Sequence, residues 1–496
     1  MKEDTEGFSD QEEKKASAGI EDMPLWLALI PVLFLVASLG VTVVFYKMSM
    51  PHQALVCSTA VAVITARIRG VKWSDSLDGM IGSVTMALPA CLILMVVGIL
   101  IGTWILAGVV PSLIVYGLKL MSPRFFLAAT CVVCSVISLA TGSSWSTAGT
   151  VGVALMGVGG GLGIPPAMTA GAIISGAYFG DKLSPLSDTT NLAPAVSGTD
   201  LFTHIKHMLY TTIPSFVIAV SLYLGIGLFL KVGHTGAEDV KVVIEVLSEH
   251  HMIHPVMLLA PAAVIGMVVL KTPALPALFI GSLIGAVFAW VFQDKGLKEI
   301  LAVAQGGFVS KTGVSAVDGL LNRGGLESMM NTVALIICAL SFGGVMERGG
   351  MLQRISIAVL SLVKGVGSLV AATLLSCIGM NVLGGEQYMA IVIPGRMYRP
   401  AFKKMGLHSK NLSRCLEDGG TVTSALVPWN SGGAYMFATL GISPIFYLPY
   451  AFLNILTPMM SLFYGVTGLT MERIEESEPD NEPSVSAESS DQKGSR

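Results

Sequence analysis

Apolar runs long enough to cross a bilayer recur along this chain, and two polar interruptions stand out among them. Residues 25–45, 51–66, 80–106, 125–140, 213–230, 255–270, 276–292, 329–346, 368–383, 412–427 and 444–464 are predominantly apolar. About 20 such residues in a helix cover the hydrocarbon core of a membrane. The pattern predicts roughly eleven to thirteen crossings, depending on how broken segments are treated. Residues 108–120 are too short to span and predict a half-span or an interfacial helix. Residues 199–212 and 236–251 read as amphipathic surface segments, and 295–327 as an interfacial arm.

The stretch 141–191 breaks this pattern. It is full of Ser, Thr, Gly and Pro and ends in Asp181, Lys182 and Asp188, with no charged residue between Arg124 and Asp181. Irregular polar backbone at membrane depth is tolerated only where it is buried in protein or lines a wet cavity. Ionisable groups there are costly and generally functional. A weaker counterpart lies in the other half: GGEQYMAI at 384–391, then VPWNSGG at 427–433, preceded by Glu417 and Asp418. In each half an apolar run ends in a Gly-rich polar segment, and a second run breaks at Pro. Such paired interruptions point to the binding site of a secondary transporter. A broken helix exposes unpaired C=O and N–H groups. Carbonyls and hydroxyls can replace water around a small cation, and a carboxylate can hold either that cation or a proton.

Composition narrows the class. The chain is 53% hydrophobic and 13% charged, against about 25% charged in soluble domains. This predicts an all-α polytopic membrane protein surrounded by lipid. The net charge of −3 argues against a nucleic-acid partner. The 7 Cys lie mostly in apolar runs, and Cys131 and Cys134 share one helix face, as buried packing residues do. No spacing suits a resident metal, and no cofactor is expected. Basic residues place the Arg67–Lys72 and Arg396–Arg414 loops, and the N-terminus, in the cytoplasm. The expected division is a disordered tail at 1–23, a first membrane repeat at 24–235, an amphipathic segment at 236–253, a second membrane repeat at 254–471 and a disordered tail at 472–496.

The strings TGSSWSTAGTVGVALMG and GAIISGAYFGDKLSPLSDTTNLAPA resemble the NhaC-type Na⁺/H⁺ antiporters, a family that also includes malate–lactate antiporters coupled to Na⁺ and H⁺. The resemblance covers about 25–464. It implies two inverted repeats, each with a re-entrant hairpin and a discontinuous helix, in a homodimer that works by an elevator motion.

Asp181 is the first candidate for the carboxylate that exchanges cation and proton; an ion pair with Lys182 is its structural alternative. Asp188, in SDTT, suits either ligation or capping of a half-helix. Ser187, Thr189, Thr190 and Asn191 offer oxygens, and Thr141, Ser143, Ser144 and Ser146 are their hairpin counterparts. Trp145 reads as packing. In the second half Glu386 is an ion ligand or the partner of a buried base. Asp418, like Glu417, is a ligand or pairs with Arg414. Asn430 and Ser431 can give neutral oxygens. His204, His207, His250, His251 and His254 read as interfacial histidines.

The function expected is exchange of Na⁺ for H⁺ across the plasma membrane of a bacterium. Exchange of an organic anion coupled to those cations is the alternative, with Lys182 as its possible partner. A channel is less consistent with two unlike breaks and no repeated filter motif. An enzyme would need a nucleophile or metal motif that the chain does not display.

Overall fold

The computed structural model describes residues 23–41, 51–230, 237–270 and 272–474. Residues 1–22 and 475–496, expected as disordered tails, lie outside the described residues. Among the described residues the chain is helical, with one isolated antiparallel bridge between Leu407 and Arg473. Among the described residues six helices are long and apolar enough to cross a membrane: Trp73–Leu106, Pro123–Thr141, Leu201–Phe229, Ala274–Gln293, Leu326–Arg348 and Val366–Leu383; two bent pairs bring the number to eight if each is one span. The apolar pattern predicts more crossings because it also counts segments that fold as short or broken helices, such as Leu25–Gly40 and Ser409–Leu416.

The element order repeats. Pro123 and Val366, Ser144 and Gln387, Pro166 and Ser409, Asp188 and Ser431, and Leu201 and Pro444 each begin a helix, and each pair stands 243 residues apart. The chain reversals keep the same register. Gly142 and Gly385, Gly163 and Gly406, and Gly198 and Gly441 all have positive φ at that spacing. Pro185 and Pro428 share it too. Each half therefore runs helix, glycine break, helix, turn, helix, proline break, short helix, turn, helix. The side chains at matched positions mostly differ, which is why the sequence displays a pattern repeat and not a sequence repeat.

Two glycine features bring the breaks together. The Pro166–Leu183 helix packs along Pro123–Thr141, and a Cβ on Gly176 would lie 2.2 Å from the carbonyl oxygen of Cys131. Gly176 and Gly180 thus form a small-residue face that allows two membrane helices to touch backbone to backbone. Gly142, at φ 68°, reverses the chain where a side chain would meet the Cβ of Leu186 at 2.6 Å. The hairpin break and the helix break of the first half are consequently neighbours.

Several expected segments are rearranged. Residues 199–212 are not a separate surface connector. They form the start of one 29-residue helix, Leu201–Phe229, on which His204, His207, Met208 and Thr211 are buried. His204 and His207 are therefore core residues: His204 Nδ1 lies 2.8 Å from Ser413 Oγ. Arg414, expected in a basic loop, is fully buried on Ser409–Leu416. It donates to Thr470 Oγ1 at 2.9 Å and lies over the Tyr464 ring. Residues 472–474 lie back against the helices near Gly406 and His408. Glu472 pairs with Lys410, and His408 N–H donates to the Glu472 carbonyl at 3.0 Å.

Candidate functional site

Four half-helices begin around one point. Their first residues are Ser144, Asp188, Gln387 and Ser431, and their caps are Ser143, Ser187, Glu386 and Asn430. Each cap accepts a backbone N–H from its own first turn: Ser143 Oγ from Ser146 at 3.1 Å, Ser187 Oγ from Thr190 at 3.4 Å, Glu386 from Tyr388 at 3.5 Å and Asn430 Oδ1 from Gly432 at 2.9 Å. Such caps satisfy amides that the helix start leaves free. The two breaks of the second half are joined where Ser431 N–H donates to the Gly385 carbonyl at 2.9 Å. The N-terminal ends of half-helices carry partial positive charge and favour ionised carboxylates beside them.

Asp181 is buried on the last turn of Pro166–Leu183. Its Oδ2 accepts from the Ser144 N–H at 3.1 Å and the Ser144 hydroxyl at 2.6 Å. Its Oδ1 is buried and makes no hydrogen bond within the protein. This oxygen belongs to a residue lining a cavity of about 140 Å³. Ser143, Trp145, Asp188, Glu386, Gln387 and Tyr388 supply the rest of its polar wall, and residues 86–93 of the Trp73–Leu106 helix the apolar wall. Among the described residues three carboxylates line this space and no Lys or Arg does. An outer opening shares Ile93, Ser143 and Asp188 with it and is also lined by Thr141, Gly142 and Ser146.

Lys182, one residue along, points elsewhere. Its ammonium is fully buried, pairs with Asp418 and donates to Thr211 Oγ1 at 3.3 Å. The expected alternative of an Asp181–Lys182 pair is thus not formed. Neither is the Asp418–Arg414 pair. Asp418 sits on a π-helical turn, Glu417–Thr421, and is not among the cavity-lining residues. As a direct cavity ligand it is corrected to the partner of a buried base. Successive residues on a helix differ by about 100° in direction, so Asp181 and Lys182 serve different neighbours.

The remaining candidates divide between lining and scaffolding. Capping of the half-helix falls to Ser187, not Asp188, whose Oδ1 instead accepts the Thr189 N–H at 2.9 Å and whose Oδ2 accepts the Tyr388 hydroxyl. Thr190 Oγ1 donates to the Asp181 carbonyl at 3.1 Å and so fixes the end of that helix. Thr189 Oγ1 lies 3.2 Å from Ser187 Oγ. Asn191 is exposed and donates to the Pro185 and Ser187 carbonyls at 2.9 and 2.6 Å, holding the loop and not the cavity. Asn430 Nδ2 donates to Asn381 Oδ1 at 3.0 Å. The Ser431 hydroxyl lies beside the Glu386 carboxylate.

Trp145 packs, as expected, in a stack on Tyr435 with centroids 4.3 Å apart, but it also lines the cavity. Gln387 and Tyr388 were not anticipated. Their signal was position: both follow Glu386 directly at the glycine break.

The family model described as the Na⁺/H⁺ antiporter family matches residues 176–469. The chain is 40% identical over 458 residues to the Na⁺/H⁺ antiporter NhaC of Alkalihalophilus pseudofirmus, covering 92% of this chain and 97% of that protein. It is 39% identical to the malate-2H⁺/Na⁺-lactate antiporter of Bacillus subtilis, covering 90% and 95%. It is 37% identical to the arginine/ornithine antiporter ArcD of Halobacterium salinarum, covering 93% and 95%.

Proposed function

The chain belongs to the Na⁺/H⁺ antiporter family, and from that premise we propose that it exchanges Na⁺ for H⁺ across the plasma membrane, with Asp181 as the exchanging carboxylate. One observation carries the assignment: Asp181 keeps a buried Oδ1 without a hydrogen bond at a cavity whose charged side chains, among the described residues, are all acidic. A carboxylate oxygen without a donor is a site for a proton or for a cation, and one occupant excludes the other. Exchange then needs only that the site, once loaded, opens to the opposite side.

The steps follow from this competition. With the site open to the side where protons are scarce, the Asp181 O–H breaks and its proton passes to water. Na⁺ takes the carboxylate and draws on the oxygens of Ser143 and Glu386, which line the same cavity. Ser144 holds Oδ2 throughout, so Oδ1 is the oxygen that trades. The matched breaks of the two halves suit the inverted-repeat, elevator-type rearrangement implied by the family resemblance, and cross-linking in native membranes tests the homodimer that goes with it.

The acidic lining favours a cation as cargo over a free organic anion. Lys182, the basic residue nearest in sequence, is spent on Asp418. The deciding experiment is flux in proteoliposomes with a panel of Na⁺, Li⁺, malate, lactate and arginine, comparing wild type with Asp181→Asn. Na⁺-driven proton flux in the wild type and its loss in the variant are expected. Full activity of Asp181→Asn would overturn the assignment, and flux that requires malate or lactate would make the organic anion the cargo.

A further inference from the structure

We propose that Asp188 and Tyr388 form an outer cation station at the neck of the cavity, where the tyrosine hydroxyl and the entering cation compete for one carboxylate oxygen. The inference rests on the Na⁺/H⁺ exchange reading and adds a second site to it. Asp188 is exposed, whereas Asp181 and Glu386 are buried. It lines both the inner cavity and the outer opening, together with Ile93 and Ser143. A cation moving inward from the opening therefore meets Asp188 before Asp181. Asp188 also lies within electrostatic range of both Asp181 and Glu386, so a cation held there is drawn towards the inner carboxylates.

Each Asp188 oxygen already accepts one hydrogen bond. The Thr189 N–H occupies Oδ1, and the Tyr388 hydroxyl occupies Oδ2. The first bond is local to its own half-helix. The second crosses from one half of the molecule to the other, between the first turns of Asp188–Ser197 and Gln387–Lys404. Binding a cation at Oδ2 breaks this cross-link at the neck, and its departure lets the hydroxyl return. Tyr388 is thus a positioning residue: it sets how tightly Asp188 holds the cation and ties the neck when the station is empty.

The test is a two-residue cycle of Tyr388→Phe, Asp188→Asn and the double variant, read as the Na⁺ KM and kcat of exchange. Tyr388→Phe removes the competitor, so its Na⁺ KM is expected to fall by roughly tenfold, the size of one hydrogen bond to a charged group. Its kcat is expected to fall as release slows. Asp188→Asn should raise KM, and adding Tyr388→Phe to it should change KM no further. Independent, multiplicative effects in the double variant, or an unchanged KM in Tyr388→Phe, would overturn the proposal. Should a variant not turn over, Na⁺ titration calorimetry of the purified protein in detergent reads the same cycle as affinities. Wild-type protein that neither binds nor moves Na⁺ would instead defeat the exchange reading itself.

Discussion

Asp181 and Asp418 are both buried carboxylates with one oxygen that makes no hydrogen bond, and they differ in what they face. Asp418 faces Lys182 with both side chains fully buried, and the charges cancel. Asp181 faces a cavity shared with Asp188 and Glu386, and among the described residues no base lines it. A buried charge must be paired, protonated or matched by an ion. The protein itself has settled the account at Asp418. At Asp181 it has left the balancing charge to come from outside, which is what a carrier requires.

The largest effects should come from exchanging these two environments. Asp181→Asn is expected to remove Na⁺-driven proton flux to background in vesicles while leaving the thermal melting of the detergent-solubilised protein near wild type. Lys182→Met alone should do the reverse of sparing the fold. It strands Asp418 and costs about 3–5 kcal/mol of stability, the usual penalty for breaking a buried pair. Lys182→Met combined with Asp418→Leu should restore most of that loss, because apolar replacement of a whole buried pair is often neutral. Melting curves of the two single variants and the double check this. Recovery of flux in the double variant would make the pair a scaffold; melting recovered without flux would give it a part in transport.

A smaller effect is expected at Glu386, which lines the cavity but carries a capping bond as well. Glu386→Gln should weaken apparent Na⁺ affinity several-fold and keep turnover. In the wild type, apparent Na⁺ affinity should rise with pH, since the proton must leave Asp181 before the cation binds. An affinity that stays flat as pH falls through the range in which the carboxylate takes up its proton would contradict competition at Asp181.

The smallest effect belongs to a third kind of carboxylate, outside the spanning segments. Asp318 accepts from Ser310 Oγ at 2.6 Å and from the Thr312 N–H and hydroxyl at 2.8 Å each. These bonds lower its pKa to about 2. A carboxylate with a depressed folded-state pKa stabilises above its unfolded value and loses that contribution as pH falls through the folded one. Asp318→Asn should therefore lower the melting temperature slightly at neutral pH, with the difference vanishing towards about pH 2 and no change in Na⁺ KM.

The breaks and the first carboxylate were legible in the sequence because Gly, Ser, Pro and Asp are conspicuous against an apolar background. Asp181 stands at the end of a long uncharged stretch, and Glu386 does so in the other half. The partners were not legible. Whether Lys182 meets Asp181 or Asp418 depends on one step of helical rotation and on a chain segment over 200 residues away. The wall at residues 86–93 reads like any lipid-facing helix, since nothing in an apolar run says which side is wet. Tyr388 was obscured for a related reason: an aromatic beside a break reads as packing until its hydroxyl is seen on Asp188. Arg414 was assigned to a loop by its basic neighbours, although its own helix buries it.

The spacing of 243 residues between matched elements gives the experimenter an internal control. Adding it to a residue number leads to the same place in the other half. For Asp181 that place is Ser424, a buried hydroxyl that donates to the Gln387 side chain at 3.2 Å. A substitution at Ser424 thus probes the same architectural position without the carboxylate. Paired variants at the two positions can separate what the shared scaffold contributes from what the single charge adds, within one polypeptide and under one set of conditions.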